Sequence, residues 1–210
     1  MSLKRIAVLA SGSGTNLQAI LAAVENGQIQ GGQVVLVISD RKNAYALERA
    51  SQHNIPAKHL SAFHYGSREA YDRDLVTYLA EQEIDLVVLA GFMRVMTPYF
   101  VQAFHQRILN IHPSLLPAFP GAHGVDDALA YGVKVSGCTV HFVDEGMDTG
   151  PIILQAAVSV HEHDTAETLH QRIHQLEYKL YPKAIDLWAR GKIKIEGRRC
   201  IINDDETGTT

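Results

Sequence analysis

Ile6-Ala7-Val8-Leu9-Ala10-Ser11-Gly12-Ser13-Gly14-Thr15-Asn16-Leu17-Gln18-Ala19-Ile20 is the stretch that decides the fold of this chain. An unbroken apolar run is followed by a turn of glycines and short polar residues, then by residues with helical periodicity. A strand that is apolar on both faces belongs in a sheet covered on both sides. A helix entered directly from such a strand begins a βαβ unit. The helix is expected from Thr15 to about Glu25, with Thr15 or Asn16 as a cap.

Working outward, the pattern recurs. Val34 to Ile38 is a second strand ending at Ser39-Asp40, and Ala44 to Gln52 a second helix. Ser67 caps a longer helix through Glu83, Leu86 to Ala90 is another fully apolar run, and Ile108 to Ile111 is short and β-branched at both ends. The expected class is therefore α/β, a Rossmann-like, mostly parallel twisted sheet with helices on both faces. Later segments differ. Ser136 to Val143 and Pro151 to His161 are extended, antiparallel or crossing, and joined by a glycine- and acid-rich loop. Thr165 to Arg190 reads as one long helix, with Leu169, Ile173, Leu176 and Leu180 at helical spacing. Asp164 or Thr165 caps it, Pro182 is expected to kink it, and Gly191 to stop it. Ile193 to Ile202 reads as a hairpin around Glu196-Gly197, and 203–210 as a disordered tail.

The chain is 46% hydrophobic and 20% charged, with a formal net charge of −4. That balance suits a soluble globular protein and argues against nucleic acid as a partner, since phosphate backbones select basic surfaces. Runs such as Leu86 to Ala90 are too short to span a membrane. No signal peptide is visible in Met1 to Arg5. Two cysteines, Cys138 and Cys200, imply no disulfide framework, and reduced thiols in a cytoplasmic protein are the simpler reading.

Three clusters carry chemistry. Ser11 to Asn16 lies where a helix start offers unpaired N–H groups and a positive dipole end, which suits a phosphate; it serves equally as a plain tight turn. A dinucleotide site, with Asp40 on a ribose, would need a third glycine where Leu17 stands, and the Walker lysine is absent. A single phosphate is the better reading. The second cluster is Asn110-Ile111-His112-Pro113. Residues two apart on a strand share a face, so Asn110 and His112 point together at a strand's C-terminal end. An amide can stabilise a developing oxyanion and an imidazole can shuttle a proton, which together suit acyl or formyl transfer. Any one of eleven histidines is more often a surface or core-edge residue. The third cluster is the loop Val143-Asp144-Glu145-Gly146-Met147-Asp148-Thr149-Gly150-Pro151, whose carboxylate could face the histidine; it lacks the ligand spacing of a calcium loop.

Leu109 to Pro117, Thr139 to Val143 and Met147 to Pro151, together with Ser11 to Ile20, Ser67 to Asp72 and Ala90 to Arg94, resemble the formyl-transferase family over roughly residues 4 to 195. The resemblance implies the formyltransferase fold and a single domain over 1–202, with a mononucleotide-binding half to about residue 105 and a folate and catalytic half from about 106. It implies Asn110, His112 and Asp148 as the catalytic trio. The implied substrates are glycinamide ribonucleotide and 10-formyltetrahydrofolate, the latter as co-substrate. Gly14, Thr15, Asn16, His174 and Glu177 would hold the ribonucleotide. Arg68, Met93, Arg94, Val95, Met96, Asn110, Asp144, Met147 and Asp148 would hold the folate, and His141 would stand behind them. No metal is called for; His161-Glu162-His163 reads as a solvated turn. The expected partners are these small molecules, with neither nucleic acid nor membrane, and the chain would act as a monomer or homodimer in purine biosynthesis.

One departure stands out. Asp126 occupies a position that is often basic in the family, which makes the loop after Pro120 more acidic. Relatives that act on transfer RNA carry a further C-terminal domain and deformylases a further N-terminal one, and neither is expected here. Sugar-nucleotide formyltransferases and a non-catalytic nucleotide-binding module remain as alternatives.

Overall fold

Alternate residues of the first strand feed two different cores in this computed structural model, which describes residues 2–203. Within β1 (Lys4–Leu9), Ile6 and Val8 pack with Leu17, Ile20 and Leu21 of α1 (Thr15–Glu25) and Tyr181, Ala184 and Ile185 of α6 (Ala166–Ala189). Ala7 and Leu9 pack on the opposite side, with Tyr71, Leu75 and Leu79 of α3 (Arg68–Glu81) and Phe100 and Val101 of α4 (Pro98–Ala103). This is why the strand is apolar at every position from Ile6 to Leu9: each face is covered by helices. Burying a large aliphatic side chain contributes roughly 1.5–3 kcal/mol, so the two cores supply most of the driving force.

The remaining strands are β2 (Gly32–Ser39), β3 (Ala57–His59), β4 (Leu86–Leu89), β5 (Ile108–His112), β6 (Val135–Phe142), β7 (Ile152–Ser159), β8 (Ile193–Glu196) and β9 (Arg199–Ile202). They form one sheet in the order β3-β2-β1-β4-β5-β6-β7-β9-β8. Strands β1 to β5 pair in parallel; β5–β6, β6–β7 and β8–β9 pair antiparallel. The chain leaves β1 towards β2 on one side and returns to β4 on the other. The order thus reverses between β1 and β4, and in open α/β sheets ligands bind in the crevice at such a point.

Helix ends follow local chemistry. The Ser67 hydroxyl accepts the Ala70 N–H at 3.1 Å, and Thr165 and Thr168 form a reciprocal capping box on α6. At the far end of α6, the Gly191 N–H donates to the Trp188 carbonyl and the Lys192 N–H to that of Leu187, with Gly191 left-handed at φ +67°. This is a Schellman stop. The helix continues through Pro182 as one element.

Four elements escaped the sequence reading: β3, a 3-10 turn at Ala62–His64, α4 and α5 (Gly124–Tyr131). Each has eight residues or fewer, too short to show a period. Thr97-Pro98 was nonetheless a legible helix start for α4, with Thr97 accepting the Phe100 N–H and Pro98 in the first turn. The tail expected over 203–210 lies, apart from Asn203, outside the described residues.

Candidate active site

The glycine turn presents its donors because nothing else uses them. The cap of α1 is Gly14 at φ +70°, with no side-chain hydrogen bond, and not Thr15 or Asn16 as expected. The left-handed backbone favours glycine, and an added Cβ would come within 2.9 Å of the Ala46 Cα. Two of the turn's carbonyls face away towards α2 (Tyr45–Gln52): Gly12 O accepts from the Ala46 N–H at 3.2 Å and Ser13 O from Arg49 Nε at 2.8 Å. The first-turn N–H groups, with no side chain capping them, are left for an anion. Residues 12 to 16 line a cleft of about 500 Å3 at the C-terminal ends of β1, β4 and β5.

Across the cleft, α6 supplies a buried carboxylate. Glu177 Oε2 accepts from Asn16 Nδ2 at 2.9 Å and pairs with His174 Nδ1 at 2.7 Å. A buried charge needs such partners. His170 stacks on His174 with ring centroids 4.1 Å apart and also lines the cleft. Burial, then the neighbouring His174, holds His170 below the ordinary histidine range. His170, His174 and Glu177 stand at i, i+4 and i+7, a spacing that would have revealed His170 in the sequence.

At the strand end the expected trio converges. Asn110 and His112 share a face of β5, while Leu109 and Ile111 enter the core on the other. Asn110 lies opposite His141 in the antiparallel register, and their side chains meet at Nδ2 to Nε2, 3.2 Å. His141 Nδ1 donates to the Phe142 carbonyl at 2.8 Å, so in the neutral ring Nε2 is the acceptor. One Asn110 N–H is thereby held and the other remains for a ligand. Burial is the main cause that keeps His141 below the ordinary histidine range, with His112 adding to it and Asp148 opposing. His112 Nε2 donates to the Phe119 carbonyl at 2.8 Å. Its Nδ1 faces Asp148 Oδ2 at 3.5 Å, and His141 Nε2 faces Asp148 Oδ1 at 3.7 Å. Asp148 has φ +54° and accepts the Gly121 N–H at 2.8 Å. A left-handed residue tied to a neighbouring loop aims the carboxylate at both imidazoles.

The third wall is apolar. Met93, Val95 and Met147 are all more than half exposed at the cleft rim, an unusual setting for such side chains unless they meet a ligand. Asp144 Oδ1 accepts from the Gly146 N–H and the Thr149 hydroxyl, which folds the 144–149 loop onto itself. Gly150 is required where this loop returns, because a Cβ there would overlap the Phe142 carbonyl.

Of the residues expected from the sequence, Gly14, Thr15, Asn16, Met93, Arg94, Val95, Met96, Asn110, His112, Asp144, Met147, Asp148, His174 and Glu177 all line this one cleft. Arg68 does not; its Nη2 donates to the Val95 carbonyl at 2.7 Å, so it braces the rim. Both halves of the chain contribute to the cleft: the glycine turn and Met93 to Met96 come from the first, and Asn110, His112, Asp148, His174 and Glu177 from the second. Asp126 sits in the first turn of α5, outside the cleft, where the helix dipole favours a negative charge. Among the described residues no group of three or more His, Cys, Asp or Glu side chains is placed to hold a metal ion. No described helix is long and apolar enough to cross a membrane.

Fold and site together define a class: the chain belongs to the formyl transferase family, whose model matches residues 4–185. At finer grain, it is similar to phosphoribosylglycinamide formyltransferase of Bacillus subtilis (strain 168), at 45% identity over 87% of this chain and 93% of that protein. The crystal structure of glycinamide ribonucleotide transformylase 1 from Symbiobacterium toebii matches with a TM-score of 0.94 at 55% identity, covering 96% of this chain and 95% of that one. The trifunctional purine biosynthetic protein adenosine-3 of Drosophila melanogaster is 48% identical over 90% of this chain, which spans 14% of that protein's length. The family read from the motifs is borne out, as is the mostly parallel α/β sheet.

Proposed function

We propose that this chain transfers a formyl group from 10-formyltetrahydrofolate to the amine of glycinamide ribonucleotide, giving the formylated ribonucleotide and tetrahydrofolate in purine biosynthesis. Residues 1–202 act as one formyltransferase domain. The observation that carries the reading is the convergence of an anion-ready helix start, an apolar rim and the Asn110, His112 and Asp148 group in one cleft. Gly14, Thr15 and Asn16 receive the phosphate, and Glu177 with His174 the sugar. Met93 to Met96, Asp144 and Met147 flank the pterin, and Arg68 acts from the rim.

The amine nitrogen attacks the formyl carbon. The oxyanion is received by the free Asn110 N–H and by a proton on His112 Nδ1. Because His112 Nε2–H is held by the Phe119 carbonyl, Nδ1 is the position that exchanges protons, and Asp148 beside it stabilises the imidazolium. Collapse breaks the bond to the folate nitrogen. The attacking nitrogen loses one proton and the departing nitrogen gains one. Mixing the pure protein with both substrates should release tetrahydrofolate only when the ribonucleotide is present. Release with water alone would identify a deformylase and overturn the reading.

A further inference from the structure

Asp40, just past β2, is half-buried and turns one carboxylate oxygen to Ser11. Its Oδ1 accepts the Ser11 hydroxyl at 2.6 Å, and Ser11 Oγ accepts the Met93 N–H at 2.9 Å. A hydroxyl has one proton to give and lone pairs to receive. With its proton held by Asp40, a Ser11 lone pair is turned to Met93. The Ser11 backbone adds a second tie, since its N–H donates to the Gly91 carbonyl at 3.0 Å. Ser11 is buried and is not among the residues lining the cleft. It nevertheless begins the glycine turn, while Gly91 and Met93 belong to the loop that forms the apolar wall. The far end of that loop is held by α3, where Arg68 donates to the Val95 carbonyl and Asp72 Oδ2 accepts the Thr97 N–H at 2.7 Å. Ser11 holds the near end.

We infer that Ser11, aligned by Asp40, is a positioning residue that locks the 91–96 loop in register with the glycine turn and so sets the separation of the two substrate half-sites. What the half-sites bind rests on the function proposed above; the lock itself stands on the hydrogen bonds.

The test uses Ser11→Ala, Asp40→Ala and Asp40→Asn in the full chain, with two readouts. The first is amide hydrogen exchange of residues 91–96, which needs no turnover. The second is the pair of KM values for 10-formyltetrahydrofolate and glycinamide ribonucleotide. Loss of one hydrogen bond is worth about fivefold to tenfold. Ser11→Ala and Asp40→Ala should therefore speed exchange at Met93 by about that factor and raise the folate KM similarly, with the ribonucleotide KM changed less than about twofold. Asp40→Asn keeps an acceptor oxygen for the hydroxyl and should stay near wild type in both. Unchanged exchange in Ser11→Ala, an equal rise in both KM values, or Asp40→Asn behaving like Asp40→Ala would overturn the lock. If the wild type transfers no formyl group while exchange responds as expected, the functional reading fails and the lock stands.

Discussion

Asp148→Asn removes one charge and almost no volume. In the wild type, Asp148 Oδ2 lies 3.5 Å from His112 Nδ1, and the carboxylate is mostly shielded from solvent, with 14% of its side chain exposed. At an effective dielectric constant of about 20, unit charges at that distance attract by roughly 4–5 kcal/mol. If that attraction stabilises the imidazolium in the transition state, its loss lowers kcat by about three orders of magnitude. An asparagine oxygen can still accept the Gly121 N–H, so the loop and both substrate pockets should persist. KM values are accordingly expected to stay within about threefold. The assay is steady-state tetrahydrofolate release with both substrates saturating, alongside thermal unfolding to confirm an intact fold. Combining the change with His112→Ala should add little, because the two groups act as a unit. A kcat within tenfold of wild type, in a variant that unfolds normally, would refute the electrostatic role given to Asp148.

Gly14→Ala should lower stability by about 1–2 kcal/mol for the left-handed backbone alone, with a further loss from contact with Ala46, and should weaken phosphate binding; urea unfolding and calorimetry with inorganic phosphate would show both. Tyr181→Phe strips the fully buried hydroxyl that bonds to the Leu89 and Leu109 carbonyls between β4 and β5, and should cost about 1–3 kcal/mol in urea unfolding without changing the fold. Stability should also depend on pH. His141 and His170 both have folded pKa values lowered chiefly by burial, so below about 6.5 the unfolded chain binds more protons than the native one. Their contribution is complete above that pH and is lost as pH falls towards the depressed folded values. Unfolding free energy should be smaller at pH 5.5 than at 7.5, with a shallower slope in His141→Gln; a flat profile in the wild type would contradict the sign.

Much of this was legible in local patterns. The apolar runs of β1, β2 and β4, the Ser67 cap, the Gly191 stop and the Asn110/His112 spacing all depend on neighbours a few residues away. Those are the distances over which periodicity, capping and strand alternation act. Of the short elements missed, α4 left only its Thr97-Pro98 start, while β3 and α5 left no such trace, and their place comes from packing on the sheet.

The sequence by itself determined the α/β class, the strand-to-helix glycine turn, and the pairing of an amide with an imidazole on one strand face, because each is set by backbone geometry within one element. Only the tertiary structure decided that Asp148 meets His112, that Glu177 reaches Asn16 across 161 positions, and that His141 orients Asn110. It also turned Asp40 from a ribose candidate into the partner of Ser11, and Arg68 into a brace for the loop. These contacts depend on sheet order and on the direction each loop takes, and no local propensity encodes either.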